Sequence, residues 1–496
     1  MTEAYASIHA TAALLVPEII LLATVCAMFL VGPMLVSHAG EAPAGLRHHW
    51  GFLSLAALGV AWAVWLGGSG EEFQGALFRV DELVWFVRGL SLSAGLVLTL
   101  LLWDQIDDTW AAEAHACLLA ILAGTNLVAA ADDLVSLFLA LELVSIPTYV
   151  ILYLPRRDRT GREAAVKYFL LSVFSSALVL YGMSWLYGAA GTTNFSAMAD
   201  AIAEIEPGSG RGMLQIALAF LVGGLCFRIA AVPFHFYAPD VFQGTTASNA
   251  ALLSFIPKVV GFAALLRLLP LTGVVESAAR WLPDDPTRLL LALLAIATMF
   301  VGNLMALRQT NLYRLMAYSS IAHAGYMLIG LAVGDVGTVA GTDAILFYLA
   351  AYGLMTIGVF ALLAAVGRER PLRFDAELRG LNRAHPSIAL LLAVCLFSLT
   401  GLPPTAGFLG KLNLFLAAWS EASDLGRWLA ILMALNAAIA AWYYLRLIAL
   451  MFLEPETEVE PAPRGIIWSS WIAGAVCSAG TIALFIAPQW LWDNLP

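Results

Sequence analysis

LAFLVGGLCFRIAAVPFHFYAPDVFQGTTASNAALLSFIPKVVGFAALLRLL, residues 218–269, decides how the rest of the chain is read. It opens as an apolar helix and places Arg228 deep inside it. Pro233 follows, then His235, Pro239 and Asp240, and a second apolar run from Asn249 carries Lys258 through its middle. A proline within a hydrophobic span frees a backbone carbonyl. Freed carbonyls persist at membrane depth only where protein or a water-filled cavity surrounds them. A cation inside a span costs at least ~2.5 kcal/mol and marks an ion or proton path by default. Two cations, a histidine and a broken helix in one stretch predict a polar track at membrane depth, which the rest of the chain surrounds and continues.

Composition agrees. The 496 residues are 61% hydrophobic and 12% charged, with mean hydropathy +0.84, where soluble domains carry about 25% charged residues. The chain is an all-α, polytopic membrane protein. The N-terminus has no basic region ahead of its span-length apolar run, so no cleavable signal is expected. A net charge of −10 argues against nucleic acid. Cys26, Cys117, Cys226, Cys395 and Cys477 stand singly in apolar runs, without the spacing of zinc or iron–sulfur ligands. Neither a phosphate-cradling glycine loop nor a dinucleotide fingerprint is present. No metal and no redox cofactor is expected on this chain.

Fourteen spans are predicted, near 11–36, 51–68, 83–103, 113–131, 134–154, 164–188, 212–236, 248–270, 287–307, 312–333, 342–366, 386–418, 426–453 and 466–490. The seventh and twelfth are irregular. The twelfth contains Gly401, Pro403, Pro404 and Gly407, which no straight helix accommodates. Arg156, Arg157, Arg159 and Arg162 follow the fifth span; Arg308 and Arg314 flank the junction after the ninth; Arg368, Arg370, Arg373, Arg379 and Arg383 follow the eleventh. These loops share one side, the cytoplasmic one by the positive-inside rule, which puts both termini outside. The loop after the third span, DQIDDTWAAE, is acidic, and acidic residues count little in that rule. Spans four to eight and nine to thirteen each contain one broken helix, the arrangement of an inverted repeat. The expected organisation is 1–112 for the first three spans, 113–270 and 287–453 for the repeats, and 454–496 for a last loop and helix.

Ionisable residues inside spans are the candidate functional groups. Glu142 lies midway along ADDLVSLFLALELVSIPTYVILYL, where a lone carboxylate is expensive and needs a partner. Lys167, early in the sixth span, is read as that partner, with snorkelling to the interface as the structural alternative. Lys258 lies too deep to snorkel. His235 stands beside the first break, and His323 in YSSIAHAGYML sits among small and hydroxyl residues. Lys411 follows the second break. Arg88 and Arg446 lie nearer span ends and are read as interface or structural residues. Aromatic residues are read as packing or interface anchors. Carboxylates, lysines and histidines in series pass a proton or an electrostatic pulse, because separating a cation from a carboxylate changes proton affinity.

These segments resemble the antiporter-like membrane subunits of respiratory complex I, bacterial NADH–quinone oxidoreductase. DLVSLFLALELVSIPTYVILYL is similar to the family's fifth helix, with Glu142 at its glutamate. EAAVKYFLLSVFSSALVLYGMSWLYG is similar to the sixth, with Lys167 at its lysine, and FRIAAVPFHFYAPDVFQG to the broken seventh. ALRQTNLYRLMAYSSIAHAGYMLIGL, LRGLNRAHP and SLTGLPPTAGFLGKLNLF resemble the ninth-to-tenth junction, a cytoplasmic loop and the broken twelfth helix, with Lys411 at its lysine. The Glu-Leu-x-Ser-x-Pro and Ser-Ser-Ile-Ala-His-Ala-Gly-Tyr strings favour the family's subunit-N branch over its larger paralogues.

The resemblance implies fourteen helices, no cofactor on this subunit, and proton translocation driven by quinone reduction elsewhere. NADH, flavin, iron–sulfur clusters and quinone would belong to partner subunits, with antiporter-like and small membrane subunits alongside in a bacterial inner membrane. Arg228 stands where the family has lysine, QGTT at 243–246 replaces an acidic-Gly-Ala-Pro string, and Tyr313 stands where a basic residue is usual. The alternatives are a subunit of a cation/proton antiporter complex and, in another class, a membrane scaffold whose charges only hold helices together.

Overall fold

The structure is a computed structural model. It describes residues 12–36, 42–68, 73–75, 77–154, 158–204, 209–272, 275–276, 280–281, 286–335, 338–366, 372–421, 423–453 and 465–496. Arg156, Arg157, Arg368 and Arg370, used above for orientation, lie outside the described residues.

Among the described residues thirteen helices are long and apolar enough to cross a membrane. The expected twelfth span is instead two shorter helices. In order the helices are α1 (Val16–Val31), α2 (Leu46–Gly67), α3 (Glu82–Leu102), α4 (Ala111–Ala130), α5 (Leu134–Tyr153), α6 (Arg159–Ala190), α7 (Ser209–Ile229), α8 (Ala238–Gly244), α9 (Ala247–Leu268), α10 (Pro286–Ala306), α11 (Leu312–Val333), α12 (Gly341–Ala365), α13 (Pro386–Thr400), α14 (Ala406–Ser420), α15 (Asp424–Phe452) and α16 (Trp468–Ile486). Starts carry side-chain caps where the sequence supplies them. Asp133 accepts from the Val135 amide at 2.7 Å to open α5, and Asn311 accepts from Arg314 at 3.1 Å to open α11.

By contact the chain divides into two compact units. The first is Met1–Leu225 with Val259–Gly273 and Pro496, and the second is Cys226–Lys258 with Val274–Leu495. In the first, α4 is buried on nearly every face. Arg88 takes the structural one of its two expected roles. It is 6% exposed and pairs with Glu18, itself 1% exposed, through Nε–Oε1 at 2.8 Å and Nη2–Oε2 at 3.0 Å. Its Nη2 also donates to the Leu14 carbonyl at 2.9 Å, so α3 holds the first helix by charge.

In the second unit α11 and α12 form the centre, buried almost throughout. The crossing of α10 and α11 is a backbone contact. A Cβ on Gly302 would fall 2.6 Å from the Ala322 nitrogen, and one on Gly325 would fall 2.7 Å from the Met299 nitrogen. Only glycine permits this approach at both points.

Both expected breaks are present and end in the same way. At the end of α7 the Ala231 amide donates to the Cys226 carbonyl at 2.8 Å and the Ala230 amide to Phe227 at 3.0 Å. At the end of α13 the Leu402 amide donates to Phe397 at 3.1 Å and the Gly401 amide to Ser398 at 3.0 Å. Each is a Schellman cap, whose left-handed residue is Ala230 (φ 56°) in one and Gly401 (φ 86°) in the other. A cis peptide follows each, at Val232–Pro233 and Pro403–Pro404. The second half-helix then begins, α8 or α14.

Candidate functional site

The second unit gathers Lys258, His323 and Lys411 around one helix, α11. Ser320, His323 and Tyr326 lie three residues apart on α11 and so share a face. Lys258, 1% exposed on α9, donates from Nζ to Ser320 Oγ at 2.5 Å and stands 5.6 Å from the Tyr352 ring centre. Lys411, 7% exposed on α14, stands 5.3 Å from the Tyr326 ring centre. His323 lies between the two lysine contacts, one helical turn from each.

Lys411 also closes the second break. Its Nζ donates to the carbonyls of Leu399 and Thr400, both at 2.8 Å, at the end of α13. Two carbonyls at the negative end of a helix and an aromatic face solvate the ammonium where water is scarce. Lys258 has a hydroxyl and a ring instead. The two lysines thus sit in different surroundings, which the sequence did not distinguish.

Tyrosine is what the sequence reading missed. Tyr326, Tyr348, Tyr352, Tyr443 and Tyr444 are fully buried and are not interface anchors. His323 Nδ1 is 2.5 Å from the Tyr348 hydroxyl, and Nε2 is 3.0 Å from that of Tyr444. Tyr444 is hydrogen-bonded onward to Ser319. Beside them, Asn303 Nδ2 donates to the Tyr326 hydroxyl at 3.0 Å, and the Tyr443 hydroxyl donates to Asn303 Oδ1 at 3.1 Å. The cluster is polar and buried. Both ring nitrogens of His323 face phenols.

At the first break, Arg228 is 6% exposed in the last turn of α7. The Phe227 carbonyl there accepts from the Tyr237 hydroxyl at 2.8 Å. His235 is half-buried in the linker, where its carbonyl accepts from Ala238 at 3.0 Å. Asp240 on α8 pairs with Arg314 at 2.5 Å, and Arg314 also donates to Gln243 at 3.0 Å. The Gln243 carbonyl accepts from Arg373 at 3.2 Å, and the Arg373 guanidinium lies 5.7 Å from the Tyr313 ring centre. The departures at 243–246 and 313 therefore meet in one place, and the neighbouring Arg314 supplies the positive charge. Arg446 is structural as expected, donating to the Gln309 carbonyl at 2.7 Å and pairing with Asp375 at 3.2 Å.

In the first unit, Glu142 on α5 accepts from Ser176 of α6 at 2.5 Å. Lys167 lies 2.7 Å from Glu163 one turn away, with 41% of its side chain exposed. The length of α6 explains this. Its 32 residues span ~48 Å against a hydrocarbon thickness of ~30 Å. Lys167, ~12 Å from the helix start, therefore falls near the boundary of the apolar layer. On α5, Val135, Leu139, Ile146, Val150 and Tyr153 form an exposed apolar stripe, and Glu142 lies on it.

A family model described as NADH:quinone oxidoreductase/Mrp antiporter, TM, matches residues 131–439. NADH-quinone oxidoreductase subunit N of Trichlorobacter lovleyi is 39% identical over 90% of this chain and 88% of its own length. The protein of the same name from Rhodospirillum rubrum is 37% identical over 90% of this chain and 89% of its own. Among solved structures, a chain of respiratory complex I from Thermus thermophilus superposes with TM-score 0.79 at 32% identity, covering 96% of this chain and 98% of that one. A chain of the Mrp complex from Dietzia superposes with TM-score 0.80 at 20% identity, covering 96% of each, a likeness of fold.

Proposed function

The chain belongs to the NADH:quinone oxidoreductase/Mrp antiporter membrane family, and we propose that it is the proton-translocating subunit N of an NADH–quinone oxidoreductase. The observation that carries this reading is the single buried face of α11, with Lys258 at Ser320, His323 in the middle and Lys411 over Tyr326. Buried ionisable groups in series at membrane depth are costly, and proton transfer is the use that justifies them. The Mrp-type alternative shares the fold, while the relatives at 37–39% identity are named subunit N.

In this proposal the redox chemistry lies on partner subunits, which hold NADH, flavin, iron–sulfur clusters and quinone; this chain binds none of them. Lys258 and Lys411 store and pass protons, with His323 between them and His235 at the first break as a gate. Glu142 and Lys167 form the electrostatic input of the first repeat, directly or through water. Arg228 is a fixed positive charge, because a guanidinium does not release its proton. The repeats run over 113–270 and 287–453, flanked by 1–112 and 454–496. The chain's partners are other membrane subunits of such a complex, as the likeness to a chain of respiratory complex I supports. The protein sits in the inner membrane with both termini outside. A cysteine in Arg159→Cys is then labelled only from the cytoplasm; labelling from outside intact cells would reverse the orientation.

The test of function is Lys258→Met and Lys411→Met in the assembled complex in proteoliposomes. Each keeps bulk and removes a proton site. Both should lose coupled proton translocation, and full translocation in both would refute the relay.

A further inference from the structure

We propose that Tyr348, His323, Tyr444 and Ser319 form one hydrogen-bonded wire, and that a proton crosses His323 by exchange of the two neutral imidazole tautomers. The proposal rests on the proton-translocation reading and adds the hydroxyl groups that carry the proton and the form the histidine takes.

A neutral imidazole has one N–H donor and one acceptor nitrogen. Here both nitrogens face a phenol, at 2.5 Å on the Tyr348 side and 3.0 Å on the Tyr444 side. One tyrosine therefore donates into the ring while the other accepts from it, and the Tyr444–Ser319 bond continues the same direction. The chain of bonds has a polarity, and each tautomer sets the opposite one. A positively charged ring would stand between the ammonium groups of Lys258 and Lys411, whose contacts lie one turn to either side. Its four neighbours on the wire and beside it, Tyr348, Tyr444, Tyr326 and Tyr352, are neutral phenols and supply no compensating charge.

The ends of the wire lie on or against the elements that hold the two lysines. Ser319 is the neighbour in the chain of Ser320, the hydroxyl that accepts from Lys258. Tyr348 packs on the α14 turn that bears Lys411, so closely that a Cβ on Gly410 would fall 2.3 Å from the tyrosine ring.

One passage is as follows. A proton arriving at the Tyr348 oxygen lets that phenol give its own proton to Nδ1. The Nε2 proton moves to the Tyr444 oxygen, and the Tyr444 proton moves to Ser319, which passes one on. One proton enters, one leaves, and no group keeps an added charge. The ring is left in its other tautomer. A second proton cannot follow in the same direction until the imidazole and the hydroxyls turn over. The ring is packed by Tyr326 at 5.6 Å, Tyr348 at 5.8 Å and Tyr352 at 5.1 Å between centres, so turning over is hindered. The wire is therefore a one-proton gate that must be reset.

The decisive measurement is 15N NMR of histidine-labelled, assembled complex near neutral pH, with the His323 signal assigned by its loss in His323→Gln. Neutral-imidazole shifts at both nitrogens, in tautomer exchange, support the wire; imidazolium shifts overturn it. Tyr348→Phe and Tyr444→Phe keep the rings and remove the hydroxyls. Each should lower proton translocation by about tenfold or more, abolish its solvent deuterium isotope effect, and freeze a single tautomer. Wild-type translocation in either variant overturns the wire while leaving the lysine relay standing. Full translocation in Lys258→Met and Lys411→Met would instead overturn the reading beneath it. If a phenylalanine variant does not assemble, the spectrum of the unaltered complex still decides.

Discussion

Exchanging the left-handed residues of the two breaks should move stability in opposite directions. Ala230 holds φ 56° at the end of α7, where Gly401 holds φ 86° at the end of α13. A Cβ in this region costs ~1–2 kcal/mol, and removing it returns ~0.4–1 kcal/mol of freedom to the unfolded chain. Ala230→Gly should therefore stabilise by about 0.5 kcal/mol. Gly401→Ala loses about the same on backbone grounds and meets a further obstacle. Its new Cβ would lie 2.8 Å from Lys411 Cδ and 3.3 Å from Nζ. The lysine stem must shift, and Nζ must weaken or leave one of its two carbonyls. A hydrogen bond from a charged group contributes ~1.5–3 kcal/mol. The total for Gly401→Ala is thus about 1 kcal/mol if Lys411 slides and up to about 4 if one carbonyl is lost. Heat inactivation of the detergent-solubilised complex reads the signs, and proton translocation reads the displacement of Lys411. Ala230→Gly should survive heating slightly better and pump normally. Gly401→Ala should survive less well and lose pumping out of proportion to its stability. A Gly401→Ala protein with unchanged midpoint and full pumping would refute both the capping geometry and the place given to Lys411.

Glu18→Gln alone should cost about 3–5 kcal/mol by stranding a buried guanidinium, seen as loss of assembled protein. Glu18→Leu with Arg88→Met should recover most of it, and a double variant no better than the single would show that the pair is not the cause. Arg228→Lys should translocate protons nearly as well as the parent and Arg228→Met should fail; full translocation by the methionine variant would make that charge dispensable. Asp81 caps α3 outside the membrane span. Burial would raise its carboxyl, but the two hydrogen bonds and charge of Arg267, the Val84 amide and Arg79 prevail and hold it below the ordinary range. A depressed folded-state value contributes stability above the unfolded carboxylate range, lost as the pH falls through the folded value. Acid should therefore destabilise the parent more steeply than Asp81→Asn on a thermal melt series, and parallel acid limbs would contradict this.

Spans and breaks were legible because the bilayer imposes length and proline imposes interruption. Every expected span has its helix or helix pair, and the start of α6 moved because Arg159, Arg162 and Glu163 are helical residues outside the apolar run. Lys258, His323 and Lys411 were legible as costly groups. Their partners were not. α11 is buried on almost every face, so periodicity gives no clue to which side Tyr326 or Ser320 occupies. Tyr348 and Tyr444 reach His323 from α12 and α15, contacts that only the folded chain makes. Glu18 escaped notice near the start of the first apolar run, and with it the reason for Arg88. Its partner is 70 positions away. Two stretches marked as departures from the resembled pattern, 243–246 and Tyr313, meet in the structure through Arg373.

The glycine contacts at Gly302 and Gly325 constrain how this machine works. They bracket His323 and bring the backbone of α10 against that of α11, with the Met299 side chain packed beside the contact. Helices joined this way translate together or not at all. A rocking bundle, which exposes a site first to one side of the membrane and then to the other, needs sliding surfaces that this crossing lacks. The moving parts are left to be small ones: hydroxyl rotors, a lysine terminus, an imidazole, the short half-helices beside the breaks. On this view the chain keeps the architecture of a transporter but works more like a circuit board, a rigid frame in which only the switches turn.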